Sequence, residues 1–257
     1  MTPLTVKLGG LAGAHAAGLR TLTEHATSEW VIVHGGGAEV ADWSTRLGLT
    51  PQAHDGLRVT DAATLEVVLA VLRGLVNARL VAAFNAQGKQ AIGLSGADAR
   101  LLSLQPADEA LGYVGHVTGV DLDLLGSLQI VGLIPIVAPV AADANGQLRN
   151  VNADEAAGAI AAARNGRLLL LTDVPAVERH GQPVESLDVA TAQEMLEDGT
   201  ASGGMRPKLR AAIVAATAGC EVRIVDGRDP TAISAALNGE PIGTEVTAGR
   251  IGLSVVR

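Results

Sequence analysis

Six short apolar runs, most of them apolar on both faces, constrain this chain more than any other feature of it. They are Leu4–Leu8, Val31–His34, Ala91–Leu94, Ile134–Ala138, Leu168–Thr172 and Val222–Val225. A strand half-covered by protein alternates apolar and polar residues, whereas one covered on both faces does not. Between these runs lie longer segments of helical periodicity. In Ala62–Gln87, Leu65, Val68, Leu69, Leu72, Leu75, Val76 and Leu80 recur at spacings of three and four. Asp61 or Thr60 suits its N-cap and Gly88 its end. The same reasoning predicts helices at Ala38–Leu47, Asp121–Val131, Ala153–Arg164, Val189–Asp198 and Lys208–Ala218, with a short last one at Thr231–Leu237. Strands alternating with helices predict an α/β fold built on a mainly parallel sheet.

With 257 residues and 48% of them hydrophobic, the chain can bury a sizeable core. No Pro/Ser-rich linker divides it. A gradual boundary near residue 165 is expected, with 1–165 and 166–257 as lobes of one continuous sheet. A net charge of −8 and only four aromatic residues, Trp30, Trp43, Phe84 and Tyr113, argue against a nucleic-acid surface. The lone cysteine, Cys220, can form no intrachain disulfide and reads as a packed thiol. No apolar run approaches the ~20 residues of a membrane span, and no leader precedes the first strand, so a cytoplasmic protein is expected.

Several turns carry more than a turn requires. Lys7-Leu8-Gly9-Gly10 closes the first strand. Either its lysine points at a phosphate beside closely approaching backbone, or it is a solvent-facing Lys before a turn. His34-Gly35-Gly36-Gly37 leaves three glycine amides at a helix start, where anions are stabilised. It is neither a dinucleotide fingerprint, since Gly35-Gly36-Gly37-Ala38-Glu39-Val40 lacks the last glycine, nor a P-loop. Gly93-Leu94-Ser95-Gly96-Ala97 resembles a nucleophile elbow only loosely, and no His/Asp partnership supports it. The six histidines show no metal spacing and read as turn or surface residues, His34 being the one placed near a site by its neighbours.

Arg58, in Gly56-Leu57-Arg58-Val59-Thr60, can grip a carboxylate with a two-pronged fork or serve a structural ion pair. Asn150-Val151-Asn152-Ala153-Asp154 puts two amides and a carboxylate at a helix start, of which capping explains one or two. In Gly204-Met205-Arg206-Pro207-Lys208, Pro207 suits a first helical turn but Lys208 opposes the helix dipole. A bound anion would offset that misplacement.

In order and spacing, the motifs around Lys7, His34, Arg58, Asn150 and Lys208 together resemble the amino acid kinase family, most closely its branch acting on N-acetyl-L-glutamate, over nearly the whole chain. The resemblance implies a three-layer α/β/α sandwich, with the acyl amino acid held by the N-terminal lobe and ATP by the C-terminal one. It implies that Lys7 and Lys208 neutralise the transferring phosphoryl group and that Asp154 organises them. Gly10, Gly36 and Gly37 would offer backbone amides, while Arg58, Asn150 and Asn152 would hold the substrate. Gly9, Gly10, Asp173, Val174, Glu178, Thr200, Ala201 and Ser202 would meet the nucleotide, which brings Mg²⁺. The expected reaction makes an acyl phosphate for arginine biosynthesis. A kinase for carrier-protein-linked aminoadipate or glutamate, hinted at by Gly74-Leu75-Val76-Asn77, and a non-catalytic ligand binder stand as alternatives. Ala53 and Ala78 depart from a basic pattern, and Leu101–Gly119 is not diagnostic as a substrate lid. With three residues before Leu4, a homodimer without arginine feedback is expected.

Overall fold

The computed structural model describes residues 2–9 and 16–249. Eight strands form the main sheet: β1 (Leu4–Leu8), β2 (Trp30–His34), β3 (Ala91–Ser95), β4 (Ile134–Ala138), β5 (Arg167–Thr172), β6 (Ser186–Asp188), β7 (Glu221–Asp226) and β8 (Thr244–Thr247). Their order is β6-β8-β7-β5-β1-β2-β4-β3. Every pairing is parallel except β7 with β8. All six runs read as strands are present within a residue or two of the expected bounds.

The helices are α1 (Ala16–His25), α2 (Gly37–Arg46), α3 (Ala62–Ala86), α4 (Leu122–Ile130), α5 (Ala153–Arg164), α6 (Val189–Glu197), α7 (Met205–Thr217) and α8 (Pro230–Leu237). Alternate strand residues feed two separate cores. Val31, Val33, Leu168, Leu170 and Ile224 pack with α5, α6 and α7. Val6, Leu8, Ile32, Leu169 and Leu171 pack with α1, α3 and α8. The result is the three-layer α/β/α sandwich implied by the resemblance. Beside it, strands at Leu102–Pro106, Val114–Val120, Leu148–Val151 and Val140–Ala142 make a four-stranded sheet. Two hairpins, Ala53–His54 with Leu57–Arg58 and Val177–Arg179 with Gln182–Val184, complete the fold.

Two expectations need correction. Helix α3 is long and apolar enough to cross a membrane by length and composition. It nevertheless buries Val68, Val71, Leu72, Val76, Leu80 and Phe84 in the core it shares with the sheet, as an apolar-faced core helix does. Asp61 caps it, accepting from Thr64 N at 2.8 Å. His34 is no surface residue either: it is fully buried at the end of β2.

Candidate functional site

Lys7 faces the site because β1 alternates. Leu4, Val6 and Leu8 enter one core, so Lys7 emerges on the opposite face, toward α5. There Asn152 caps α5, its side chain accepting from Asp154 N at 2.8 Å and Glu155 N at 3.1 Å. Capping fixes the first turn and aims the Asp154 carboxylate at β1. Lys7 Nζ lies 2.8 Å from Asp154 Oδ1, and Lys208 Nζ lies 3.6 Å from Oδ2. All three side chains are buried. Lys208 stands in the first turn of α7 and donates to Gly204 O at 3.2 Å. Burial lowers its pKa below the ordinary lysine value, and the Lys7 charge lowers it further, against Asp154 and Asp173. Two cations thus share one carboxylate, an arrangement with positive charge to spare for an anion.

The glycine turn lies opposite. Gly35 N donates to Leu8 O at 2.9 Å, tying the turn to the end of β1. Gly36 has φ of 148°, and a Cβ there would lie 2.7 Å from Leu72 Cδ2, so only glycine fits. Gly9 is equally constrained, since its Cβ would meet Leu171 O at 2.7 Å. Arg58 Nη2 donates to Gly37 O at 2.7 Å. Asn150 Nδ2 donates to Thr60 Oγ1 at 3.1 Å, and Thr60 Oγ1 to Arg58 O at 3.0 Å. These bonds bring the Arg58 hairpin, the Asn150 strand and the glycine turn together.

A cavity of about 390 Å³ collects Lys7, Gly9, Gly36, Gly37, Arg58, Asn150, Asn152, Asp154 and Lys208 along its walls. Its volume suits a small substrate with part of a second ligand. Gly10 lies outside the described residues. Asp173, Val174, Glu178, Thr200, Ala201 and Ser202 do not line this cavity. Asp173 is exposed just past β5. Ala201 is packed into the core, its N–H donating to Met195 O at 2.8 Å and its carbonyl accepting from Arg206 Nη1 at 3.5 Å. Sequence reasoning missed the apolar wall made by Val40, Val68 and Leu72; nothing separates such residues from ordinary core positions before the fold is known. Among the described residues no cluster of three or more His, Cys, Asp or Glu side chains could hold a metal.

Residues 6–226 match the model of the amino acid kinase family, and the chain belongs to that family. Similar proteins include the acetylglutamate kinase of Methanopyrus kandleri, 48% identical over 207 residues, covering 76% of this chain and 84% of that one. The acetylglutamate kinase of Oleidesulfovibrio alaskensis is 43% identical over 233 residues, covering 84% and 79%. Among solved structures, smu.665 of Streptococcus mutans superposes with a TM-score of 0.82 at 26% identity, covering 96% and 98%. Carbamate kinase of Giardia, at 16% identity and a TM-score of 0.68 with 96% and 99% covered, shares the fold.

Proposed function

We propose that this kinase transfers the γ-phosphoryl group of ATP to the γ-carboxylate of N-acetyl-L-glutamate, as an acetylglutamate kinase of arginine biosynthesis. A carboxylate oxygen forms the new bond to phosphorus, the bond to the β-phosphate oxygen breaks, and ADP leaves with that electron pair. The nucleophile is already an anion, so no general base is required. The barrier lies in bringing two anions together, and positioning and charge stabilisation lower it.

The observation that carries the reading is the convergence of Lys7, Asp154 and Lys208 with the glycine turn and Arg58 on one cavity. Lys7 and Lys208 neutralise the phosphoryl oxygens, and Asp154 sets their spacing. Gly36 and Gly37 offer amides to the phosphoryl group and the attacked carboxylate. Arg58 takes the α-carboxylate, while Asn150 and Asn152 line the acyl end. The acyl amino acid occupies the N-terminal lobe, 1–165. ATP reaches in from the C-terminal lobe, 166–257, where Asp173, Val174, Glu178, Thr200, Ala201 and Ser202 surround the nucleotide, and Gly9 approaches its phosphates. Asp154 is committed to two lysines and no acidic cage is present among the described residues, so these residues fit a Mg²⁺ carried on the nucleotide phosphates. Bound there, the ion neutralises phosphate charge. The working form in this reading is a cytoplasmic homodimer, a state that sedimentation measures directly.

Acyl phosphate trapped as a hydroxamate tests the assignment, with N-acetyl-L-glutamate compared against L-glutamate, carbamate and carrier-linked aminoadipate. Turnover on acetylglutamate alone, reduced about 10²- to 10³-fold by Lys7→Ala or Lys208→Ala, is the expected result. Turnover only on the carrier-linked substrate refutes the substrate, and ATP binding without turnover on any of the four refutes the activity.

A further inference from the structure

Behind the glycine turn runs a chain of polar side chains, Arg73, Asn77 and His34, that do not line the cavity but end on Gly35, which does. Helix α3 widens to π geometry over Leu69–Val76, and the next residue, Asn77, is a buried amide on an otherwise apolar face. Asn77 Nδ2 lies 2.8 Å from Ile136 O of β4 and 3.1 Å from His34 Nε2. Asn77 Oδ1 accepts from Arg73 at 3.4 Å, and that contact together with the Ile136 carbonyl fixes which way the amide faces. His34 Nδ1 lies 2.7 Å from Gly35 O.

A carbonyl only accepts, so Nδ1 carries the ring proton and Nε2 is the acceptor for Asn77. Burial holds the ring neutral, pushing its pKa down to about 4 against the Gly35 hydrogen bond, with Arg73 adding to the depression. The carbonyl of Gly35 and the N–H of Gly36 belong to one planar trans peptide and point in opposite directions. Gripping the oxygen from the protein interior therefore turns the Gly36 N–H outward. Leu72 and Val76, from the π stretch, close over Gly36 at the same time. One helix thus holds the turn twice, by apolar contact and through His34.

We propose that His34 and Asn77 are positioning residues that lock the Gly35–Gly36 peptide, so that its N–H meets the transferring phosphoryl group. This rests on the kinase reading above for its consequence in rate, but not for its geometry. A glycine pair has the backbone freedom to flip its shared peptide, so a flanking lock has a task that bulkier residues would not pose.

Three variants separate positioning from mere packing. In His34→Asn the side-chain amide can replace Nδ1–H as donor to Gly35 O; in His34→Gln the polar atoms sit near the Nε2 position instead. Asn77→Leu keeps bulk and removes the polar link. We expect His34→Asn to keep kcat within about threefold, and His34→Gln and Asn77→Leu to lose about 10- to 100-fold in kcat with KM for both substrates little changed. The Gly36 amide resonance should stay in place in His34→Asn and move in the other two. Equal kcat in His34→Asn and His34→Gln, or losses that merely track Tm, overturn the proposal. If the wild-type protein fails to phosphorylate acetylglutamate, the amide resonance still decides: an unmoved Gly36 signal in His34→Gln refutes the lock whatever the substrate.

Discussion

Replacing Asp154 by Asn preserves shape and removes one charge from the centre of the site. In the native protein that carboxylate stands 2.8 Å from Lys7 Nζ and 3.6 Å from Lys208 Nζ, with all three groups buried. Removing one partner of a buried pair typically costs about 3–5 kcal/mol, because the remaining charge stays desolvated without compensation. Here two cations are left, so the upper half of that range is expected. For a chain of this size each kcal/mol moves Tm by about 2–4 °C, giving a fall on the order of 8–20 °C. Saturating ATP and substrate should restore part of it, since phosphate supplies the missing negative charge. The alkaline limb of kcat/KM adds a second reading. Burial and Lys7 already lower the Lys208 pKa, and Asp154 opposes them. Without Asp154 the lysine loses its proton at lower pH, so the limb moves to lower pH. Calorimetry on the free and liganded variant, with a pH–rate profile, checks both effects. A variant melting within about 1 kcal/mol of wild type, its alkaline limb unmoved, would falsify the view that Asp154 organises the lysines.

Arg58→Lys keeps the charge but loses the planar fork, so KM for acetylglutamate should rise about 10- to 100-fold while kcat changes less; initial-rate kinetics decide. His34 is neutral and buried, its pKa of about 4 lying below the ordinary 6.5. Its contribution is therefore fully present above pH 6.5 and lost as pH falls toward 4, about 3 kcal/mol in all. Urea melts between those pH values should show that slope in wild type and a shallower one in His34→Asn. Under the proposed arrangement, with the ion carried on ATP, chelation of Mg²⁺ should abolish hydroxamate formation reversibly and leave the Tm of the nucleotide-free protein unchanged.

The central strands were legible because a doubly covered strand has no polar face, and Val31–Val33 or Leu168–Leu171 can be little else. Helix α1 was not: its sequence offers only Leu19 and Leu22 as large apolar residues among Thr, Arg and Glu. The four-stranded sheet was hidden by Gly and Pro within Leu102–Pro106 and Val114–Val120, where neighbours outweigh propensity. In the site, residue types were readable but partnerships were not. Asn152 was grouped with substrate-holding amides, and its side chain in fact also caps α5. Asn77 gave one local signal, an amide in line with Leu80 and Phe84 on a helix's apolar face, whose meaning depends on β2 and β4 passing beside it. His34 looked like part of a turn because glycines follow it, although β2 carries it into the interior before the turn begins.

Strand β1, which carries Lys7, lies between β2 and β5 in the middle of the sheet, and β5 does not begin until Arg167. On a ribosome adding about 5–20 residues per second, the first strand waits about 10–30 s for its second neighbour. Throughout that interval it offers an open, apolar edge of the kind that templates association between chains. The chain must therefore be shielded longest at its first strand, and the central strand that aims Lys7 is also the point at which synthesis is most exposed to misassembly.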